Sequence, residues 1–187
     1  MEVAAMDKYK KKIITIPNIL SFFRLCLIPV IIWFYLGEEY LLAGIFVIIS
    51  GITDIVDGYI ARTFHMISDV GKVLDPIADK ATQGVVMILL ATSFPLMLIP
   101  IIITIIKEAF MGISGYLIIK KRNIVLGANW YGKLATVLIS TMMALHLFWH
   151  NINPTLSLIT IIISSIAIIL ALVLYAIRNF GYLIDKK

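Results

Sequence analysis

The chain contains one cysteine in 187 residues, Cys26, so an intrachain disulfide is excluded, and its spacing fits no metal-binding motif. Charge is also scarce: 14% of residues are Asp, Glu, Lys or Arg, against about a quarter in soluble domains. With 61% hydrophobic residues and a mean hydropathy of +1.01, that scarcity excludes an ordinary soluble domain. Internal repeats and low-complexity tracts are missing, and no stretch is left over for a soluble module. A single domain over 1–187 is expected, with 1–17 as a juxtamembrane basic segment. A cleavable secretory signal is not expected either. "KYKKK" (8–12) suits its basic end, but Pro17 and Arg24 interrupt the apolar run after it, and no small-residue cleavage site is evident.

What the chain does have is apolar runs approaching the roughly 20 residues that cross a hydrocarbon core. They predict an all-α polytopic membrane protein with six transmembrane helices, at 18–36, 41–63, 72–93, 96–119, 131–150 and 154–178. Turn chemistry separates them: "GEE" at 37–39, "SFP" at 93–95 and "NINP" at 151–154. Lys and Arg fall on one side only, in "KYKKK", Arg62, Lys72, "KKR" (120–122), Arg178, Lys186 and Lys187. The other three turns have none, so both termini are expected in the cytoplasm. The net charge of +5 gathers at the ends of apolar runs and no aromatic-basic nucleic-acid module is visible. Anionic membrane lipids and phosphate-bearing substrates are therefore the expected partners, not nucleic acid.

Charges inside the spans form a layer toward the cytoplasmic side. Arg24 lies about 9 Å into the first span at 1.5 Å per residue. Asp54 and Asp57 end the second, Asp75, Asp79 and Lys80 open the third, Lys133 opens the fifth, and Lys107 and Glu108 lie deepest. Charged side chains at such depth cost about 2.5–3.5 kcal/mol each on insertion scales, so they need a function or a partner. Asp54 and Asp57 are i and i+3, and Asp75 and Asp79 are i and i+4, so each pair shares a helix face. Two helices joined by a short loop can aim both pairs at one site. Four oxygen donors without His or Cys suit hard divalent ions, Mg²⁺ or Mn²⁺, rather than zinc. Gly58, Ala61 and Gly71 leave room for close approach, and Arg62 offers a planar fork to a phosphate. Together these describe a diphosphate site holding two divalent ions. Two other readings use the same residues: structural ion pairs or a proton path with Arg24, Arg62, Lys80, Lys107 and Lys133, or a divalent-cation transporter. A one-sided layer without an internal repeat argues against the transporter.

"DIVDGYIARTFHMISDVGKVLDPIAD" (54–79) resembles the CDP-alcohol phosphatidyltransferases, matching D-x2-D-G-x2-A-R-x8-G-x3-D-x3-D at every fixed position. The resemblance implies attack by an acceptor hydroxyl on the lipid-side phosphorus of CDP-diacylglycerol, with CMP leaving. It implies that Asp54, Asp57 and Asp75 are metal ligands and that Asp79, also at the metal site, is the general base. Asp54, Gly58, Ala61, Arg62 and Gly71, with Ser68 beside them, fall where the family holds the cytidine diphosphate. A homodimer is implied as well. Asn18, after Pro17, either caps the first helix or touches the nucleotide.

"TIPNILSFFR" (15–24) and "LDPIADK" (74–80) resemble the branch of phosphatidylglycerophosphate and cardiolipin synthases. Glycerol 3-phosphate is the first-choice acceptor, with Lys107, Lys120, Arg122 and Lys133 to bind its phosphate. Phosphatidylglycerol, as in cardiolipin synthesis, or another alcohol is the alternative. The branch usually carries Arg-Glu where this chain has Lys107-Glu108, and a second lysine where "GKLAT" (132–136) has Ala135; a lysine gives up the bidentate grip of arginine. Lys107 and Glu108 can equally be structural glue, and "KKR" a headgroup anchor. His146 and His150, one turn apart, read as interfacial residues near the outer surface rather than a metal pair.

Overall fold

The computed structural model describes residues 15–64, 68 and 70–184, except the side chains of Arg62 and Lys72. "KYKKK", His65, Lys186 and Lys187 lie outside the described residues, as does the Arg62 fork. No strand occurs among the described residues. Among the described residues, six long helices stand at the six expected runs: α1 (Ile16–Leu36), α2 (Tyr40–Thr63), α3 (Gly71–Ser93), α4 (Leu98–Arg122), α5 (Trp130–Phe148) and α6 (Pro154–Ile184), with a 3₁₀ turn at Pro95–Met97.

Five of these segments are long and apolar enough to cross a membrane, and only 17% to 33% of each apolar window is buried within the protein. Apolar surface left uncovered on that scale requires an apolar surrounding. The exception is α3. It has 23 residues, but Lys72, Asp75, Asp79, Lys80 and Gln83 dilute its first half.

Local sequence explains the helix ends. Thr15 caps α1, its side chain accepting from the Asn18 N–H at 3.4 Å, and Pro17 sits in the first turn, where no donor is needed. Asn18 is therefore not the cap. Helix α4 ends at Asn123, left-handed at φ 55°, whose N–H closes on Ile119 O at 2.8 Å. Lys120, Lys121 and Arg122 fill its last turn, where the helix dipole favours cations. At α6, Asn153 Oδ1 accepts from Thr155 N at 2.9 Å. Pro76 lies inside α3, which begins earlier, at Gly71.

The chain divides into two compact units, 1–89 and 90–187. In the first, α1 packs on α2. The buried stripe of α1 changes character along its length: Asn18, Ser21 and Arg24 at the start, Leu27, Ile31 and Tyr35 beyond. The apolar half joins α2 through a Phe34–Phe46 stack (5.3 Å) and a Tyr35–Tyr40 edge contact (5.1 Å). The polar half carries the candidate active site.

In the second unit α6 packs against both α4 and α5. Its inner face runs Ser157, Ile161, Ser164, Ile168, Ala171, Tyr175, Asn179, at steps of three and four. Ser164 donates to Leu138 O at 3.2 Å, a bond between helices of the kind that small polar residues make in membranes. The Tyr175 hydroxyl occupies the space a side chain on Gly132 would need, and it accepts from Asn129 N at 3.1 Å. His146 corrects an expectation. It is fully buried rather than interfacial, bonded at Nδ1 to Met142 O (2.8 Å) and at Nε2 to Ser157 Oγ (2.9 Å), with Phe94 edge-on at 4.8 Å. A carbonyl only accepts, so Nδ1 carries the proton and Nε2 accepts from Ser157.

Candidate active site

The site is built in the first unit from the polar start of α1, the end of α2 and the start of α3. Arg24 has a side chain 2% exposed, and its Nη1 donates to Asp54 Oδ1. Its Nη2 donates to Asp57 Oδ2 at 2.8 Å and stands 4.0 Å from Asp75 Oδ1. Asp57 is buried, whereas the Asp54 and Asp75 side chains keep 46% and 39% of their surface. Ser21, one turn before Arg24, has a single hydroxyl hydrogen and three acceptors in reach: Asp75 Oδ1, Pro17 O at 3.0 Å and Asp57 Oδ2 at 3.4 Å.

Two residues of one helix face therefore gather three carboxylates from two other helices. Each carboxylate gives one oxygen to Arg24 or Ser21, and its second oxygen takes part in none of these bonds. Within this group, three carboxylates face one guanidinium. Asp79, one turn further along α3, is exposed, as is Lys80.

Among the described residues, no three acidic or imidazole side chains already surround one point closely enough to hold an ion. Three of the four aspartates meet at Arg24 instead. The donor set fits hard divalent ions in chemistry and charge: carboxylate oxygens only, three carboxylates to one guanidinium, and one oxygen on each of Asp54, Asp57 and Asp75 outside these bonds.

A second group of expected residues assembles one turn earlier on α1. Ser68 Oγ donates to Asn18 Oδ1 at 2.8 Å and accepts from Gly71 N at 2.9 Å. The α2–α3 connection is thereby tied to α1. Gly58 and Ala61 lie half-buried on α2, and Arg62 follows on the same helix.

The expected acceptor residues belong to the second unit. Lys107 is buried on α4, its Nζ 2.8 Å from Oε1 of the adjacent Glu108, a pair within one helix that joins no second helix. Lys120 is exposed and Arg122 half-buried at the end of α4, and Lys133 is exposed near the start of α5. A polar seam in the same unit was missed from sequence. Asn179 donates to Ser114 Oγ at 2.7 Å, and Arg178 lies 4.8 Å from the Tyr175 ring centre while donating to Gly127 O at 2.9 Å. Its one signal was Gly132, which Tyr175 requires to be small. Ser21 was missed too, although Asn18, Ser21 and Arg24 recur every three residues.

These features fall in a known class. The chain belongs to the CDP-alcohol phosphatidyltransferase family, which it matches over residues 14–177, across both units. Among its relatives, the CDP-diacylglycerol–glycerol-3-phosphate 3-phosphatidyltransferase of Aquifex aeolicus is 30% identical over 171 residues, 88% of this chain and 96% of that protein. The enzyme of the same name from Rickettsia bellii is 35% identical over 113 residues, 58% of this chain and 62% of that protein. A cardiolipin synthase (CMP-forming)/mitochondrial hydrolase fusion protein of Schizosaccharomyces pombe is 43% identical over 96 residues, 50% of this chain but only 16% of that protein.

Proposed function

We propose that the chain transfers the phosphatidyl group of CDP-diacylglycerol to the hydroxyl of glycerol 3-phosphate, forming phosphatidylglycerophosphate and CMP. The observation that carries this reading is the meeting of Asp54, Asp57 and Asp75 at one place, each with an oxygen outside the bonds to Arg24 and Ser21. The choice of acceptor is supported by the match along 96% of the Aquifex enzyme.

The acceptor oxygen forms a new bond to the lipid-side phosphorus, the bond from that phosphorus to the bridging oxygen breaks, and CMP departs with the electron pair. Asp54, Asp57, Asp75 and Asp79 would hold two Mg²⁺ or Mn²⁺ ions, whose charge would neutralise the diphosphate and make the acceptor hydroxyl more acidic. Asp79 takes the hydroxyl proton. A carboxylate is a weak base, so its contribution rests on position. Arg62 grips a phosphate of the leaving nucleotide, and Asn18, Ser68 and Gly71 shape the nucleotide side, with Gly58 and Ala61 leaving space for it. Lys133, Lys107, Arg122 and Lys120 receive the acceptor phosphate. In this reading α3 is the sixth membrane crossing, both termini and the site face the cytoplasm, anionic lipids contact the basic ends, and the chain works as a homodimer.

A second reading, cardiolipin synthesis from phosphatidylglycerol, is favoured by the 43% identity to the fusion protein over 96 residues. An acceptor panel separates the two. Purified protein is given CDP-diacylglycerol, Mg²⁺ and one alcohol at a time. CMP release with glycerol 3-phosphate supports the first reading; release with phosphatidylglycerol alone replaces it with the second.

A further inference from the structure

The arrangement around Arg24 contains a charge that the transfer reaction does not use. The guanidinium is almost wholly buried and meets three carboxylates at once. A cation in that position does two things. It holds together side chains that would otherwise repel one another, and it lowers the attraction of the same side chains for any further cation.

We propose that Arg24 is an internal counter-cation, a positioning residue that holds the Asp54, Asp57 and Asp75 carboxylates in one orientation and competes through its charge with the divalent ions they bind. The inference rests on the reading of those aspartates as metal ligands. Ser21 shares the first task, because its hydroxyl lies between Asp57 and Asp75, but it carries no charge and does not share the second. Competition acts through charge rather than through occupied oxygens, since Arg24 and Ser21 take one oxygen of each carboxylate and leave the other.

Charge and geometry separate by substitution. Arg24→Gln removes both, Arg24→Lys keeps the charge and loses the fork, and Ser21→Ala removes only the hydroxyl. The full-length protein in detergent is titrated with Mn²⁺, following the free-ion signal by electron paramagnetic resonance, and its unfolding temperature is read in EDTA and in saturating Mn²⁺. Arg24→Gln is expected to bind Mn²⁺ at least about tenfold more tightly than wild type, the direction set by removing a nearby positive charge. Its unfolding temperature falls in EDTA and recovers with Mn²⁺, so the metal-induced rise exceeds that of wild type. Arg24→Lys and Ser21→Ala keep wild-type Mn²⁺ affinity within about a factor of three, since neither changes the charge. Equal or weaker Mn²⁺ binding by Arg24→Gln overturns the inference. So does a variant that stays unfolded with Mn²⁺ present, because an added cation would then not replace the guanidinium. If wild type binds no Mn²⁺, or Asp57→Asn binds it as well as wild type does, the metal reading of the aspartates fails instead.

Discussion

Gly71 lies so close to Asn18 that a β-carbon on it would stand 2.6 Å from the Asn18 amide oxygen and 3.1 Å from Ser68 Oγ. The start of α3 can take this place only because residue 71 has no side chain. Gly71→Ala is expected to push the Asn18 amide aside and break the Ser68 bond, costing about 1–3 kcal/mol of stability. The site consequence is sharper. CMP with Mg²⁺ should raise the unfolding temperature of wild type and fail to do so for the variant; a variant that responds like wild type would remove Asn18, Ser68 and Gly71 from the nucleotide site.

Asp79 lies one turn beyond Asp75 on α3, and its expected role is proton removal. Asp79→Asn should lower turnover by about 10²–10⁴-fold, the usual contribution of a general base, while leaving part of the metal-dependent CMP binding. Single-turnover CMP release and CMP titration measure the two separately. Loss of both together would make Asp79 chiefly a ligand.

Lys133 is exposed near the start of α5, where a cation can meet an acceptor phosphate. Lys133→Ala should raise KM for glycerol 3-phosphate roughly tenfold or more, as expected for losing a hydrogen bond to a charged group, and leave KM for CDP-diacylglycerol unchanged. Initial rates with each substrate varied in turn check this.

The second unit gives a prediction about stability alone. Tyr175 fills the space beside Gly132, and its ring lies 4.6 Å from that of Tyr131. Gly132→Ala forces the phenol out of a packed position and should cost about 1–3 kcal/mol. Adding Tyr175→Phe removes the nearest atom and should restore part of the loss in thermal unfolding.

Much of this was legible in the sequence because it depends on period and spacing. Five of the six expected runs are helices long and apolar enough to cross a membrane, α3 being the exception, and the i, i+3 spacing of Asp54 and Asp57 placed both carboxylates within reach of one partner. Less legible were contacts decided by which residue begins a helix. Asn18 was open between cap and ligand until Thr15 took the cap, which turned the Asn18 side chain toward Ser68. A serine in an apolar helix usually bonds its own backbone, as Ser21 does to Pro17, so its second role toward Asp75 had no distinct pattern. His146 sits near a helix end, and only the packing of α6 and Phe94 around it shows that it is interior.

The central claim is tested most directly by CMP release from CDP-diacylglycerol and glycerol 3-phosphate, comparing wild type with Asp57→Asn in Mg²⁺ and in EDTA. Wild type in Mg²⁺ should form CMP and phosphatidylglycerophosphate in equal amounts, and both EDTA and Asp57→Asn should abolish the reaction. CMP release by Asp57→Asn at the wild-type rate would contradict the account.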